Sequence, residues 1–243
     1  MSHAKPYFIT PAYAFVAYPN RDSTTFREAY NIPEAETIIR GTLRYQGFPQ
    51  FIGVLVKIGF LDEKPKDWLV EGLTWQEVTQ KAIAAQSTEE KELVEKIVAI
   101  SQFSDVSEKT RIVSGLRWIG LFSDERVEIR GRNLLDTLCA RLEQLMAYNE
   151  GERDLIMLQH KFVVEWKDGS EQVITSTLEA YGAPGGHSAM ALTVGVPCGI
   201  AVQLVLDGVI KEPGVCAPYN KVLNDPIIEL LEKEGISMVE RYV

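Results

Sequence analysis

The sequence predicts an α/β (α+β) protein in which an all-helical subdomain is inserted into a domain built on a mixed sheet. Three observations lead to this fold class. Short extended segments alternate with turns over residues 1–58, helical periodicity fills residues 59–150, and β-rich segments return over residues 151–243. We therefore predict that residues 1–58 and 151–243 form one α/β domain and that residues 59–150 form the helical insertion.

The first part of the chain combines extended segments with turns. An apolar run rich in aromatic residues covers positions 11–18 and ends in the turn signal at residues 19–23. Residues 34–45 predict a strand, and the apolar spacing of residues 51–58 predicts a helix.

Residues 59–150 carry helical signals and no strand signal. Residues 74–77 (Thr-Trp-Gln-Glu) and 87–90 (Ser-Thr-Glu-Glu) both match the capping box, in which two side chains satisfy backbone donors at a helix start. Helical spacing follows over residues 111–122 and 133–148. We predict four or five short helices, with their charged residues on a solvated outer face.

The last part of the chain begins with a hairpin signal. Residues 154–166 and 171–181 are β-prone, and the dipeptide Asp168-Gly169 lies between them. Asp-Gly between two such runs is a strong indicator of a hairpin turn. We therefore predict two antiparallel neighbouring strands.

Two helices are predicted after the hairpin. Residues 189–207 are almost entirely apolar, but Thr193, Pro197 and Gln203 interrupt the run. We therefore predict a buried core helix rather than a membrane span. The dipeptide Asp225-Pro226 predicts the start of the last helix, with Asp as N-cap and Pro at the first helical position.

Composition excludes several classes of protein. The 243 residues carry 25 Lys plus Arg against 34 Asp plus Glu, so the net charge is −9. An acidic chain of this kind lacks the electrostatic footprint of a general nucleic-acid binder. Its three cysteines are far apart and form no Cys-x-x-Cys pair, which disfavours a disulfide scaffold or a zinc finger. With no targeting segment visible, these features predict a cytoplasmic protein without a membrane partner.

No cofactor-binding, metal-binding or catalytic residue is predicted from spacing. The glycine-rich residues 182–186 have the pattern Gly-x-x-Gly-Gly, whereas a dinucleotide site needs Gly-x-Gly-x-x-Gly, so a tight turn capped by Ser188 is the favoured interpretation. The three His and three Cys never occur at metal-ligand spacing. There is no Gly-x-Ser-x-Gly elbow, and no neighbouring residue near Cys198 or Cys216 would activate a thiol as a nucleophile.

Arginines are the remaining candidates for a binding site. Arg21 lies in a turn after an aromatic strand, and Arg40 and Arg44 flank a predicted strand end. A guanidinium binds a carboxylate through two parallel hydrogen bonds, so these positions suit an anionic small molecule. The alternative for each of them is an ordinary surface arginine.

Several segments resemble one family over essentially the whole chain. They are residues 18–23 (Tyr-Pro-Asn-Arg-Asp-Ser), 32–37 (Ile-Pro-Glu-Ala-Glu-Thr), 40–49 (Arg-Gly-Thr-Leu-Arg-Tyr-Gln-Gly-Phe-Pro), 115–124 (Gly-Leu-Arg-Trp-Ile-Gly-Leu-Phe-Ser-Asp), 135–142 (Leu-Asp-Thr-Leu-Cys-Ala-Arg-Leu), 152–154 (Glu-Arg-Asp), 217–219 (Ala-Pro-Tyr) and 224–227 (Asn-Asp-Pro-Ile). The chain is similar to the fungal saccharopine reductase family, the NADP-dependent, glutamate-forming saccharopine dehydrogenases.

This resemblance implies an oxidoreductase of lysine biosynthesis through the α-aminoadipate pathway. The family reduces the imine of glutamate and aminoadipate semialdehyde with NADPH to give saccharopine. It begins with an NADP-binding Rossmann domain that is absent here, so we expect a C-terminal fragment that is inactive on its own. The α/β domain is then the saccharopine-binding and dimerisation domain, and a homodimer is expected.

The resemblance also assigns substrate-binding residues. Arg21, in the Tyr-Pro-Asn-Arg-Asp-Ser turn, resembles one substrate contact, and Thr42, Leu43 and Arg44, in the Gly-Thr-Leu-Arg-Tyr strand end, resemble a second group. Saccharopine carries three carboxylates, which agrees with the interpretation of the arginines. Relatives tend to carry Tyr where His187 stands, and His187 is therefore given no role.

A second interpretation belongs to another class of protein. The chain would be a non-catalytic acidic module for binding or scaffolding. The intact anion-binding motifs favour the first interpretation, because a scaffold has no need to keep them.

Overall fold

The computed structural model describes residues 3–242, which fold into two compact units. The first unit contains the described residues up to Tyr18 together with residues 44–147. The second contains residues 19–43 and those from Tyr148 onward. Helices and small sheets are both present, which confirms the predicted mixed α/β class.

Six strands and eight helices are found in the described part of the chain. In order they are β1 (Lys5–Tyr7), β2 (Phe15–Pro19), α1 (Phe26–Ala29), β3 (Gly41–Tyr45), α2 (Phe48–Lys57), α3 (Trp75–Ile83), α4 (Glu90–Ser101), α5 (Val106–Ile119), α6 (Leu134–Leu145), β4 (Leu155–Glu165), β5 (Glu171–Tyr181), α7 (Ala189–Leu206), α8 (Lys221–Lys233) and β6 (Val239–Tyr242).

The strands form two sheets of three strands each. One has the order β1-β2-β3, and the other has the order β4-β5-β6. The predicted hairpin is confirmed: β4 and β5 are antiparallel, with Leu155 opposite Tyr181 and Glu165 opposite Glu171. β6, which the sequence did not predict, pairs antiparallel with the other edge of β5.

The strand predicted over residues 34–45 is shorter in the structure. Only Gly41–Tyr45 is extended and paired, as β3. The preceding residues are held in turns, because Ala35 N donates to Ile32 O at 3.1 Å and Arg27 donates its side-chain N–H groups to Pro33 O.

Most fully buried side chains of the first unit come from α2 to α6. On these helices they are Leu55, Val78, Leu93, Ile97, Ile112, Leu116, Ile119, Leu134 and Leu138, and Ile58, Phe60 and Leu121 follow directly after α2 and α5. α2 packs against α4 and α5, so it lies with the helices of residues 59–150 rather than with residues 151–243. The boundaries of the two units therefore differ from those of the predicted domains. The roles given to the predicted domains remain predictions.

One of the two predicted capping boxes is confirmed and the other is wrong. Thr74 caps α3, with Glu77 N donating to Thr74 Oγ1 and Thr74 N donating to Glu77 Oε2. Ser87 instead donates to Glu92, at 2.6 Å, and α4 begins after Glu89 without a side-chain cap. The acidic partner of Ser87 comes five residues later because the helix itself starts at Glu90.

The predicted start of the last helix is also wrong. α8 begins at Lys221, because Asn220 Oδ1 accepts a hydrogen bond from Leu223 N at 3.0 Å and provides an earlier cap. Pro226 therefore lies inside the helix, where its missing N–H removes one backbone bond.

α7 has the predicted position but not the predicted surroundings. Ser188 caps it, accepting from Ala191 N at 3.0 Å. Only Ala189 and Leu204 of its 18 residues are buried, so the predicted buried core helix is wrong for this chain. α7 packs against α8, β4 and β5 and leaves much of its apolar surface exposed. By length and hydropathy alone it could cross a membrane, a test that core helices also pass.

Candidate substrate-binding site

Arg21 lies in the turn that follows β2, in the second unit. Its φ of +62° is in the left-handed region, which is uncommon for a residue other than glycine. Asp22 Oδ1 accepts hydrogen bonds from Thr24 N at 2.9 Å and from its hydroxyl at 2.8 Å, and these bonds lower the pKa of Asp22. Arg21 is thus exposed on a turn whose backbone is held by local hydrogen bonds.

β3 carries the other three predicted residues in consecutive positions. Thr42 and Leu43 are half-buried and lie in the second unit, whereas Arg44 is exposed and lies in the first. Alternation along a strand places Thr42 and Arg44 on the same face. The start of the strand is held by Asn20 N, which donates to Arg40 O at 2.8 Å.

The turn after β3 holds Arg44 next to the start of α2. The guanidinium carbon of Arg44 lies 5.4 Å from the centroid of the Phe48 ring, a cation–π arrangement. Gly47, the N-cap residue of α2, has φ +94°. Arg111 of α5 donates from Nη1 to Gly47 O at 3.2 Å.

Thr42, Leu43 and Arg44 are neighbours because they are consecutive in β3, and Arg21 belongs to a separate turn. Arg111 was not predicted. Nothing in its local pattern sets it apart from the solvated charged face of a helix, and its contact becomes visible only when α5 packs near the β3–α2 turn.

The glycine-rich turn before α7 does not offer a free anion site. Asp154 Oδ1 accepts from Ala189 N at 2.7 Å, and Oδ2 accepts from Met190 N at 2.9 Å. Both backbone hydrogen bonds lower the pKa of Asp154, and the bond from Met190 has the larger effect. The N–H groups that a phosphate would use are thus taken by a carboxylate of the protein. A Cβ at Gly182 would collide with the same carboxylate.

No metal centre is formed by the described residues, since no group of three or more His, Cys, Asp or Glu side chains could hold an ion. Cys139, Cys198 and Cys216 are exposed and free. His187 enters the turn before α7 through its backbone, with its carbonyl accepting from Ala183 N at 3.0 Å.

An aromatic cluster in the second unit was not predicted either. Phe26 and Tyr30 stack with ring centroids 5.4 Å apart, and Tyr219 meets both rings edge-on. The Arg40 guanidinium lies 5.9 Å from the Phe26 centroid. The cluster thus connects two parts of the segment between Arg21 and β3 with Tyr219.

Comparison with known proteins agrees with the fold and with the segments that carry the resemblance. The family model described as the saccharopine dehydrogenase C-terminal domain matches residues 1–236. This chain therefore belongs to the saccharopine dehydrogenase family and represents its C-terminal domain, which confirms the resemblance.

Individual members of this family are also similar to the chain in sequence and structure. It is 57% identical over 247 residues to a Pyricularia oryzae protein, and 56% identical over 246 residues to a Schizosaccharomyces pombe protein, both named saccharopine dehydrogenase [NADP(+), L-glutamate-forming]. All of this chain is matched, with 55% and 54% of those proteins. The structure of apo histidine-tagged saccharopine dehydrogenase (L-Glu forming) from Saccharomyces cerevisiae matches the whole chain with a TM-score of 0.93 and 52% identity, over 54% of its own length. The chain thus spans about half the length of these relatives.

Proposed function

We propose that this chain is the substrate-binding and dimerisation portion of an NADP-dependent, glutamate-forming saccharopine dehydrogenase. The observation that carries this proposal is the identity of 52–57% to fungal enzymes over the full chain. The intact enzyme would make saccharopine from glutamate and aminoadipate semialdehyde with NADPH, in cytoplasmic lysine biosynthesis. The chain alone would be inactive and would bind neither nucleic acid nor a membrane.

Recognition of a tricarboxylate substrate is the chemistry proposed for the arginines. Arg21 and Arg44 would each hold a carboxylate through the planar fork of the guanidinium. Thr42 can donate from its hydroxyl group, and Leu43 can contribute only its backbone and an apolar side chain. Arg21 and Arg44 are both exposed, which is compatible with this role.

NADPH supplies the hydride in the proposed reaction, but this chain does not fit the cofactor. Its sequence has no strand–glycine-rich–helix unit with dinucleotide spacing, and the backbone donors at the start of α7 are occupied by Asp154. We therefore propose that NADP binds to the part of the relatives that this chain does not span. Calorimetry should detect no saturable binding of NADP(H) at micromolar concentrations, and such binding would contradict the proposal.

Lysine substitutions test the role of the arginines. In a full-length fungal enzyme whose matching half is replaced by this chain, Arg21→Lys and Arg44→Lys should each raise the KM for saccharopine ten- to a hundredfold. A charge-assisted hydrogen bond worth about 1.5–3 kcal/mol is lost, since lysine keeps the charge but not the fork. The KM for NADP should stay nearly unchanged in steady-state kinetics.

A surface arginine provides the control for these variants. Arg130, which forms an exposed ion pair with Glu143, should tolerate Arg130→Lys with wild-type kinetics. If Arg21→Lys and Arg44→Lys behave like this control, both are ordinary surface arginines and the site assignment is wrong. An inactive hybrid that neither binds saccharopine nor turns it over would favour the scaffolding alternative.

A further inference from the structure

We propose that Arg111 is a positioning residue for substrate binding, which holds the β3–α2 turn through Gly47 and thereby orients Arg44. The inference rests on the proposed role of Arg44 as a substrate contact. All the residues involved lie in the first unit.

The turn and the guanidinium of Arg111 are matched in shape. Arg111 Nη1 donates to Gly47 O at 3.2 Å across 64 residues of sequence. A Cβ built on Gly47 would lie 2.8 Å from Arg111 Nη1 and 3.0 Å from its guanidinium carbon. The guanidinium therefore occupies the space that a side chain at this position would need. The φ of +94° favours glycine at this position, and a larger residue would in addition displace the Arg111 guanidinium.

Arg111 comes from a well-anchored part of α5. Ile112 and Leu116, on the same helix, are 1% and 0% exposed. Gly115, one turn after Arg111, packs so closely on Phe51 of α2 that a Cβ there would collide with the ring. Because α5 is fixed against α2 at this point, the backbone of Arg111 has a defined place beside the turn.

The second contact of the turn involves Arg44. Its guanidinium rests on the ring of Phe48, the residue that directly follows the Gly47 carbonyl bound by Arg111. The two arginines therefore contact consecutive residues of one turn. A shift of Gly47 moves Phe48 and with it the surface on which Arg44 lies.

Arg111 also differs from its neighbour on the same helix. Arg117 pairs with Glu90, with 2.5 Å between Nη2 and Oε1. Within the described residues Arg111 forms no ion pair, and its hydrogen bond goes to a backbone carbonyl. Its hydrogen bond is thus to the backbone of the β3–α2 turn, while Glu108 on the same helix interacts with it electrostatically.

Kinetics of Arg111 variants in the full-length hybrid enzyme test the proposal. Arg111→Met should raise the KM for saccharopine about tenfold, leave kcat within about twofold and leave the KM for NADP unchanged, because binding geometry alone is disturbed. Arg111→Lys should recover most of the loss, since its ammonium group can still donate to Gly47 O. Arg117→Met, the matched control on α5, should behave as the wild type.

A double variant shows whether Arg111 acts through Arg44. If it does, Arg44→Lys combined with Arg111→Met should be no worse than Arg44→Lys alone, because the positioning has nothing left to orient. Additive effects would overturn the proposal in favour of an independent substrate contact. A wild-type KM in Arg111→Met would also overturn it, as would a lowered melting temperature with both KM values raised.

The outcomes separate this inference from the proposed function. If Arg44→Lys has no effect, the substrate-binding role of Arg44 is wrong, and this inference is then wrong as well. If Arg44→Lys raises the KM for saccharopine but Arg111→Met does not, only the role of Arg111 is wrong.

Discussion

Asp154 joins the start of β4 to the start of α7 through its carboxylate. The two backbone donors of Met190 and Ala189 bind only the ionised form well, and they lower the pKa of Asp154. A Cβ at Gly182 would crowd the same carboxylate and the backbone of Ser188 and Ala189. The Asp154 side chain therefore holds the start of α7, while its backbone carbonyl accepts from Gly182 N at 3.1 Å at the end of β5.

Asp154 should make stability depend on pH. The pKa of Asp154 is lower in the folded state than in the unfolded state, where an Asp has a pKa of about 3.9. The stabilisation that Asp154 provides is therefore present above the unfolded-state pKa and is lost as the pH falls through the folded-state pKa. We predict that Asp154→Asn lowers the free energy of unfolding at pH 7 and that its deficit against the wild type narrows below about pH 4. Urea unfolding from pH 7 to pH 3 measures this.

An exposed carboxylate outside such a network is the control for Asp154. Glu150→Gln removes a negative charge four residues earlier and should change stability little at any pH in this range. A deficit of Asp154→Asn that stays constant down to pH 3 would show that its hydrogen bonds do not depend on ionisation.

Single residues were predictable where their partners are local. The Thr74–Glu77 capping box is a four-residue pattern, and the structure contains it. Asp154 and Arg111 could not be assigned, because their partners lie 35 and 64 residues away and only packing brings them together. Arg21 and Arg44 were singled out by guanidinium chemistry and by resemblance, and their binding role stays a prediction.

At the scale of elements, local signals predicted helices and strands better than their surroundings. The hairpin and α7 have the predicted positions, because turn residues and a cap mark their ends. The burial of α7 was predicted wrongly, because the apolar composition of a helix does not show whether other elements of the chain cover it. α8 begins earlier than predicted, because its N-cap residue is Asn220 and not Asp225.

Two glycines should respond oppositely to alanine. Gly169 in the hairpin turn has φ +81°, so Gly169→Ala should lower stability by about 1–2 kcal/mol. Gly53 lies inside α2 with open space around it and ordinary helical backbone, so Gly53→Ala should raise stability by about 0.5–1 kcal/mol. Denaturant unfolding of both variants at one pH measures the difference. Equal effects would mean that backbone conformation does not decide either position.

At the scale of the molecule, the exposed apolar surface of the second unit predicts association. Leu158, Phe162 and Val163 of β4 are 45%, 52% and 64% exposed, and much of α7 is exposed as well. We predict a homodimer built from residues outside 59–150, as proposed for the family domain. Sedimentation at tens of micromolar should give twice the monomer mass of 27.2 kDa.

Substitutions on the hairpin identify the surface involved. Phe162→Lys should weaken the dimer, whereas Trp118→Lys, a change at an exposed aromatic residue inside 59–150, should leave it intact. A monomer at all concentrations, or a dimer weakened only by Trp118→Lys, would contradict the prediction.

The sheet β4-β5-β6 also determines an order of events during folding. β4 and β5 are joined by a short turn, so their pairing closes a small loop and can form within microseconds. β6 reaches β5 only after α7 and α8 have been passed along the chain, and that closure carries a larger entropic cost. We expect pulse-labelled amide protons of the hairpin to be protected before those of β6. Until then one edge of β5 has no partner, and strands of neighbouring molecules can compete for it.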